Sequence, residues 1–288
     1  IPVVPVATAP ETEMLRVAGA RVGLFKPWVA SMDEGWTRFV LEQYEFPLET
    51  ISNEQIRSGV FTDEVDVLLF PDVSPSIIST GEPAKGSRYR RRWTPMPPKY
   101  SGGIDTFPES DDTTKKKKDE VKKTKGGEHI KKWVEAGGTV VALDSSSQYF
   151  IDLFELPVND VLEKVDGDDF NCPGSTLQVE MNMDSPLTFG MQAKEAIYFG
   201  DSPAFQTRVP DPRFKRTVIA RYPSDDKDIL LSGYLEGGDL LEKRAAVVEI
   251  EVGKGRVILI GFRAQHRAQP VRTFKLLFNT LYTMEAPG

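Results

Sequence analysis

The sequence predicts an α/β protein with a doubly wound, mainly parallel sheet in its first half and a strand-rich, antiparallel second half. The early strand-like segments, such as residues 65–70 and 139–143, are apolar almost throughout. That pattern is typical of parallel strands covered by helices on both faces. Strand-like and helix-like segments alternate up to about residue 154, as expected of a doubly wound sheet. From about residue 170 short strand-like segments predominate, and we expect antiparallel pairing there.

Each element is predicted from its local pattern. In the first half the strands are expected at residues 21–25, 48–51, 65–70 and 139–143. The helices there are expected at residues 33–44 with Asp33 as N-cap, 53–58, 127–136 and 149–154. In the second half the strands are expected at residues 176–181, 196–199, 216–222, 229–234, 245–252 and 256–262, the last two joined by a Gly-Lys-Gly hairpin signal. A final helix is expected at residues 272–284 because Phe274, Leu277, Phe278 and Leu281 recur at helical spacing.

Composition divides the chain into segments. Residues 1–12 have the Pro, Ala and Thr content of a linker, which is expected to extend to residue 18, and residues 19–160 are expected to form the α/β core. A basic insertion at about 72–126 interrupts the core, since residues 85–132 hold 15 Lys and Arg against 7 Asp and Glu, and the rest holds 21 against 36. The insertion is interpreted as a solvated loop or a binding patch. Residues 161–235 are expected to be a strand-rich extension, and residues 236–288 a hairpin and helix that complete the core.

Bulk properties exclude several classes of function. The 288 residues carry a formal net charge of −7, which argues against nucleic acid as the main partner because duplex binding needs a coherent basic face. No apolar run approaches the roughly 20 residues that a membrane span needs. The single cysteine, Cys172, excludes an internal disulfide, and the two histidines, His129 and His266, lie far apart in sequence. We therefore expect no metal site made from this chain alone and no cofactor in it.

Residues 137–148 contain the strongest candidate site. An apolar, β-branched strand ends in Asp144 and three serines, and a helix then begins. Several classes of α/β enzyme expose a nucleophile at such a strand–turn–helix, at the carboxyl end of the strand. Asp144 stands in that place, and Ser145 beside it is a candidate for ligand binding. The alternative is structural: Asp144 satisfies the backbone donors of the turn and the serines cap the helix.

A second candidate site is the loop after the predicted strand 256–262. His266 lies there between Arg263 and Arg267, in a segment dense in hydrogen-bond donors. The loop would bind a carboxylate or phosphate through charge-assisted hydrogen bonds. Alternatively it packs across the end of the sheet and bonds to carboxylates such as Asp144. A contact between Asp144 and His266 would fit both interpretations.

The loop after the first strand is expected at the ligand-facing end of the sheet. Trp28, Asp33 and Glu34 are candidates for lining a pocket there. Alternatively Trp28 only packs against the insertion, and Asp33 only caps a helix. Cys172 precedes a Pro-Gly turn with no activating base near it in sequence, so we expect a buried or inert thiol.

Four stretches, at residues 22–38, 98–104, 170–175 and 261–269, resemble the C-terminal region of large bacterial zinc carboxypeptidases of the carboxypeptidase A superfamily. In those proteins a peptidase domain is followed by a domain similar to class I glutamine amidotransferases. The resemblance runs from about residue 20 to 283. The strand–turn–helix of class I amidotransferases has the pattern Gly-x-Cys-x-Gly-x-Gln, in which the Cys is the nucleophile. Aligning its Gln with Gln148 places the Cys on Asp144 and the two glycines on Ala142 and Ser146. An aspartate cannot perform the same thioester chemistry, so glutamine hydrolysis is not expected.

The resemblance implies a non-catalytic accessory or interaction domain of a secreted bacterial zinc carboxypeptidase, with an amidotransferase-like or flavodoxin-like fold. The partners it implies are the peptidase domain of the parent protein, a second copy of this chain, or a peptide or cell-envelope ligand. Zinc would belong to the absent peptidase domain, because this chain has no His-x-x-Glu pair. A periplasmic or extracellular location is expected. Two alternatives stay open: a hydrolase that uses Asp144 and His266, and a sensor that binds carboxylates at Arg263 and Arg267.

Overall fold

The computed structural model describes residues 16–28, 31–84, 86, 102–108, 121–209 and 211–285. Its strands in chain order are β1 (Arg16–Gly19), β2 (Val22–Phe25), β3 (Leu48–Ile51), β4 (Val67–Phe70), β5 (Thr106–Pro108), β6 (Val121–Lys123), β7 (Thr139–Leu143), β8 (Val158–Asp160), β9 (Ser175–Met181), β10 (Lys194–Phe199), β11 (Phe205–Thr207), β12 (Lys215–Arg221), β13 (Leu230–Ser232), β14 (Ala245–Val252), β15 (Gly255–Ile260) and β16 (Tyr282–Glu285). Its α-helices are α1 (Met32–Gln43), α2 (Asn53–Ser58), α3 (Pro75–Thr80), α4 (Gly126–Glu135), α5 (Ser146–Phe154) and α6 (Phe274–Thr280).

One large sheet has a parallel half and an antiparallel half. The strands β3, β2, β4, β7 and β15 lie side by side in that order and are parallel. Numbered along the chain, this is the 2-1-3-4-5 order of flavodoxin-like sheets. Beyond β15, the antiparallel strands β14, β12, β9 and β10 continue the same sheet. The predicted doubly wound α/β fold with an antiparallel second half is confirmed.

Helices cover both faces of the parallel half because its strands are apolar on both faces. Val141 and Leu143 of β7 pack on one face in the cluster that includes residues of α1 and α6. Val140 and Ala142 pack on the opposite face, in the cluster that includes residues of α2, α3, α4 and α5. Successive side chains of a strand point to opposite faces, which produces this division. The strand order reverses between β2 and β4, and the crevice outside their carboxyl ends is where such sheets bind ligands.

Several local predictions are confirmed and three are wrong. β7 and β14 have the predicted bounds. The N-cap of α1 is Ser31, whose Oγ accepts a hydrogen bond from the backbone N–H of Glu34 at 3.1 Å, so Asp33 lies inside the first turn. α5 begins at Ser146, three residues before the predicted start, because the serines after Asp144 are already helical.

The third error is the final helix, which ends at Thr280 instead of residue 284. Residues Tyr282–Glu285 form β16, which pairs antiparallel with β1 near the other end of the chain. The helical spacing of apolar residues continues past Thr280, but this long-range pairing overrides it. β1 includes residues 16–18, which were expected to belong to the linker.

The structure describes part of the basic insertion, namely α3 and the antiparallel pair β5–β6. The basic run at residues 88–93 and the lysine run at residues 115–118 lie outside the described residues. Within the described ranges, no helix combines the length and the apolar character that crossing a bilayer requires.

Candidate functional site

Four segments meet outside the carboxyl ends of β2, β4, β7 and β15. They bring together the side chains of Asp33, Asp72, Asp144 and Arg263, which we call the crevice cluster. Asp33 lies in the first turn of α1, Asp72 follows β4, Asp144 directly follows β7, and Arg263 follows β15. Parallel strands end at one edge of a sheet, so residues far apart in sequence converge there. The cluster sits beside the reversal of strand order between β2 and β4.

Arg263 lies among the three carboxylates. Its Nη2 and Nε atoms lie 2.6 and 2.8 Å from Asp72 Oδ2, a charge-assisted pair held at two points. The same Nε lies 3.6 Å from Asp33 Oδ1 and 3.7 Å from Asp144 Oδ2. The guanidinium is therefore bonded mainly to Asp72, while Asp33 and Asp144 lie near it without a short contact.

Asp144 adopts the conformation of a sharp strand-to-helix turn. Its φ angle is +53°, in the left-handed region that non-glycine residues seldom occupy. Its backbone N–H donates to Ile260 O at 2.7 Å, which extends the β7–β15 pairing by one residue. Ser146 Oγ donates to Leu143 O at 2.7 Å and ties the start of α5 to the end of the strand. The turn is thus the elbow expected from the sequence.

The side chain of Asp144 is sealed inside the protein. It is 1% exposed, and Ser202 Oγ donates a hydrogen bond to its Oδ2 at 2.6 Å. Ser145, half-buried beside it, donates its hydroxyl proton to Asp72 and not to Asp144. Ser145 therefore belongs to the same polar network, as a hydrogen-bond donor to the carboxylate that pairs with Arg263.

Burial and the neighbouring carboxylates shift the pKa values of the cluster. Burial first, and then the charge of Asp72, raise the pKa of Asp144 well above its ordinary value, although Arg263 and the Ser202 hydrogen bond oppose the rise. Burial and Asp72 likewise raise the pKa of Asp33 to about 6. Burial alone would lower the pKa of Arg263, but the surrounding carboxylates raise it. Burial therefore favours the neutral form of Asp144, and the neighbouring carboxylates favour the charged form of Arg263.

The contact between Asp144 and His266 that the sequence suggested is absent: no hydrogen bond or ion pair joins these two described residues. The imidazole of His266 instead stacks on Tyr198, with ring centroids 3.7 Å apart and planes 10° from parallel. Burial, Arg263 and Arg267 together lower the pKa of His266 to about 4. Asp144 has Arg263 as its basic neighbour because that side chain, three residues earlier in the loop, turns into the crevice.

The remaining predicted residues lie at the rim or on α1. Arg267 is exposed at a φ angle of +48° and forms no ion pair with any described residue. Glu34 is 6% exposed, and its carboxylate accepts hydrogen bonds from Arg38 Nε and Nη2 at 2.9 and 2.6 Å. It is therefore part of an ion pair within α1 and not of the cluster. Trp28 is 44% exposed in the loop after β2.

Three polar atoms on buried side chains of this region have no hydrogen-bond partner among the described residues. They are Asp144 Oδ1, Gln265 Oε1 and His266 Nδ1. A buried polar atom without a partner costs about 1–3 kcal/mol, so three in one region need an explanation.

Sequence reasoning did not single out Asp72 or Ser202, and it included Gln265 only as one donor of the loop around His266. Asp72 had a usable signal, since it is a polar residue just after a buried strand, as Asp144 is. Ser202 had none, because a serine in a loop is an ordinary surface residue, and the donor-rich loop did not indicate which partner Gln265 would have. Their roles arise from contacts with residues distant in sequence, Asp144 and Thr37.

Cys172 and the histidines give no second site. Cys172 is buried, as expected, and burial raises the pKa of its thiol. His129 Nδ1 lies 3.1 Å from the backbone oxygen of Ile56, in a contact between α4 and α2. Among the described residues, no three His, Cys, Asp or Glu side chains are arranged as ligands of one metal ion.

No family model and no curated protein matches this sequence. Solved structures with a similar fold include a cytoplasmic protein from Salmonella typhimurium, which is 14% identical with a TM-score of 0.50 over 91% of this chain and 97% of that one. A ThuA-like protein from Bacteroides uniformis is 11% identical with a TM-score of 0.46 over 90% of this chain and 88% of that one. The β-galactosidase of Bacillus circulans sp. alkalophilus is 12% identical with a TM-score of 0.48 over 91% of this chain and 30% of that one. At these identities the similarity concerns the fold alone.

Proposed function

We propose that this chain is a non-catalytic accessory domain with an amidotransferase-like fold, carried by a secreted bacterial zinc carboxypeptidase. The observation that carries the non-catalytic part is Asp144 at the elbow. A nucleophile must reach its substrate and must be ionised to attack. Asp144 is 1% exposed, and burial among carboxylates raises its pKa well above the ordinary value. Both requirements are opposed at the elbow.

The parent protein is inferred from the four resembling stretches, at residues 22–38, 98–104, 170–175 and 261–269. In such a parent the zinc and the peptidase chemistry belong to another domain. This domain would support, dimerise or position the peptidase, or bind a peptide or a cell-envelope component. A periplasmic or extracellular location is part of the same proposal.

A thiol-accessibility experiment tests whether the elbow is closed. The wild-type protein has one cysteine, the buried Cys172, which serves as an internal reference. In an Asp144→Cys variant, both thiols should react with a thiol-specific reagent only as fast as the protein opens. A Ser232→Cys variant, at an exposed position of β13, should react at once and serves as the matched control. Rapid reaction at position 144 in the native protein would contradict the proposal and favour the hydrolase.

The accessory role is tested on the parent protein. The coding sequence upstream of Ile1 should encode a peptidase domain with a His-x-x-Glu pair, and its absence would contradict the proposed parent. Deleting this domain should change the thermal half-life, the oligomeric state or the kcat/KM of the peptidase. Asp144→Asn in the intact parent should leave kcat/KM unchanged, since no step depends on an ionised Asp144. An unaltered peptidase after deletion would count against an accessory role.

The two alternatives, a hydrolase and a carboxylate sensor, depend on different residues at the carboxyl end of the parallel strands. A hydrolase would need Asp144 and His266 to act together, yet His266 stacks on Tyr198 and has no bond to Asp144. A carboxylate sensor would rely on Arg267, the exposed cation, because Arg263 is already paired with Asp72. The sensor predicts that acetate binds and that Arg267→Ala removes the binding.

A further inference from the structure

A cavity at the start of β14, outside the crevice cluster, is lined by three cationic residues. Arg221 from the end of β12, and Lys243 and Arg244 from the loop before β14, share it with Gln206 and Thr207 of β11. Among the described residues that line it, none is an aspartate or a glutamate. Its volume is about 150 Å³, enough for a molecule of the size of benzene. The cavity therefore concentrates positive charge in a chain whose formal net charge is −7.

Backbone hydrogen bonds hold the three cations close together. The pairing of β12 with β14 continues past the strand ends, since Tyr222 N–H donates to Arg244 O at 2.9 Å. Lys243 N–H then donates to Pro223 O at 3.1 Å. Arg221 directly precedes Tyr222, so all three cationic side chains start from neighbouring backbone positions. The fold imposes this arrangement, because like charges by themselves would move apart.

A β-bulge accounts for the position of Arg221. Val218 and Arg221 line the same cavity although they lie three residues apart, and a regular strand would direct them to opposite faces. The register of β12 with β14 shifts between Val218 and Ala220, and again between Ala220 and Arg221. An irregularity of this kind changes the direction of the side chains that follow it. The bulge therefore brings Arg221 to the side of the sheet on which the cavity lies.

The protein does not neutralise these cations. Arg221 and Lys243 are exposed, and their side chains form no hydrogen bond or ion pair with any described residue. Arg244 is half-buried and donates one hydrogen bond, from Nε to Leu240 O at 3.4 Å. That bond leaves the Nη groups of Arg244 available. All three side chains can thus donate to a ligand, and two of them are directly accessible from solvent.

Two carboxylates adjoin the cationic residues, but neither pairs with them. Glu180 of β9 lies opposite Arg221 in the sheet register, and no ion pair joins these two described residues. Glu242 directly precedes Lys243 in the chain, and its Oε1 accepts a hydrogen bond from Asp226 N–H at 3.3 Å. The positive charge at the cavity is therefore available to a bound anion.

We propose that this cavity binds a phosphate group, with Arg221, Lys243 and Arg244 as its cationic donors. A doubly charged phosphate has several oxygens that accept charge-assisted hydrogen bonds in different directions. This matches donors that come from β12 and from the loop before β14, with Gln206 and Thr207 of β11 as neutral donors beside them. A carboxylate has two coplanar oxygens and a single charge, so it would engage fewer of these donors.

The phosphate group has two possible sources, the free anion and a phosphate monoester. Arg221, Lys243 and Gln206 are exposed, so the cavity is open to solvent. A monoester could place its phosphate among the cations and leave its organic part outside. This inference goes beyond the accessory role and does not depend on a carboxypeptidase parent.

The test is isothermal titration calorimetry of the purified full chain at about pH 7.5, where a phosphate monoester carries close to two charges. Inorganic phosphate and phenyl phosphate are titrated at constant ionic strength, because surface electrostatics depend on salt. At least one of them should bind saturably with one site per chain, and acetate should not. The tighter of the two phosphates identifies the source of the group.

Two lysine variants locate the site. Lys243→Gln should weaken phosphate binding about tenfold, as expected when one charged hydrogen-bond donor is removed. Lys254→Gln is the matched control, because Lys254 is also exposed but lies in the hairpin at the other end of β14. It removes the same charge and should leave the affinity nearly unchanged. Arg221→Gln should weaken binding as Lys243→Gln does.

The proposal is overturned if neither phosphate binds saturably, or if Lys243→Gln and Lys254→Gln lose the same affinity. Acetate that binds as tightly as phosphate would overturn it in favour of a carboxylate ligand. Arg267→Ala should leave phosphate binding unchanged, and a loss there would place the anion at the crevice instead. None of these outcomes alters the predictions for the peptidase parent, so the two proposals fail separately.

Discussion

Replacing Asp33 by asparagine should stabilise this protein at neutral pH. Burial and Asp72 raise the pKa of Asp33 from 3.8 to about 6. A folded-state pKa above the unfolded value means that the stability linked to Asp33 is fully present below about pH 3.8 and is lost as the pH rises through about 6. At about 1.36 kcal/mol per pH unit, ionised Asp33 costs about 3 kcal/mol above that range. Asparagine has nearly the same shape and does not ionise, but it forgoes about 0.3–1 kcal/mol of carboxylate–dipole interaction at the start of α1.

The measurement is the free energy of unfolding in urea, followed by circular dichroism across this pH range. The Asp33→Asn variant should exceed the wild type by about 2 kcal/mol near pH 7.5 and should match it near pH 4. Asp66→Asn should behave in the opposite way, because the hydrogen bond from Arg21 lowers the pKa of Asp66. It should lose stability at neutral pH and approach the wild type as the pH falls. A less stable Asp33→Asn protein at neutral pH, or a difference independent of pH, would refute the reasoning.

Three other predictions concern the same region and its surroundings. Arg263→Met leaves the three carboxylates of the crevice cluster without their cation and should cost about 3–5 kcal/mol in urea unfolding near neutral pH; a loss under about 1 kcal/mol would show that the pairing is unimportant. Gly81→Ala should cost more than about 1 kcal/mol, because φ is +77° there and a Cβ would lie 2.2 Å from a backbone oxygen. Gly19→Ala, with no atom within 4 Å of the new Cβ, should cost less, and equal losses would contradict this account. The His266 imidazole should titrate near pH 4 by NMR, and a midpoint at or above about 6.5 would exclude the buried, cation-flanked environment.

The elbow could be predicted because its signal is local. A threonine and four apolar residues, followed by Asp144 and three serines, specify a buried strand, a sharp turn and a helix start, and the structure has each of these. The N-cap of α1 shows the limit of such reasoning. Ser31 and Asp33 are both residues that cap helices well, and only the observed bond from Glu34 N–H to Ser31 Oγ decides between them.

The partner of Asp144 could not be predicted. Arg263 and His266 lie three residues apart in one loop, and each carries a side chain suited to meet a carboxylate. The choice depends on Tyr198, which stacks on His266, and on Asp72, which holds Arg263 in the crevice. Both belong to other parts of the chain. The raised pKa values of Asp33 and Asp144 could not be predicted either, since no sequence pattern indicates that these residues are buried among other carboxylates.

The sequence by itself determined the alternation of strands and helices, the apolar strands of the parallel half and the place of Asp144 after β7. These features follow from the periodicity and polarity of neighbouring residues, which act over a few residues at a time. Only the tertiary structure decided that β16 pairs with β1, that one arginine lies among three carboxylates, and that Asp144 is sealed beneath Ser202. Those features depend on which distant residues share a small volume with little water, where each charge alters the energy of the others.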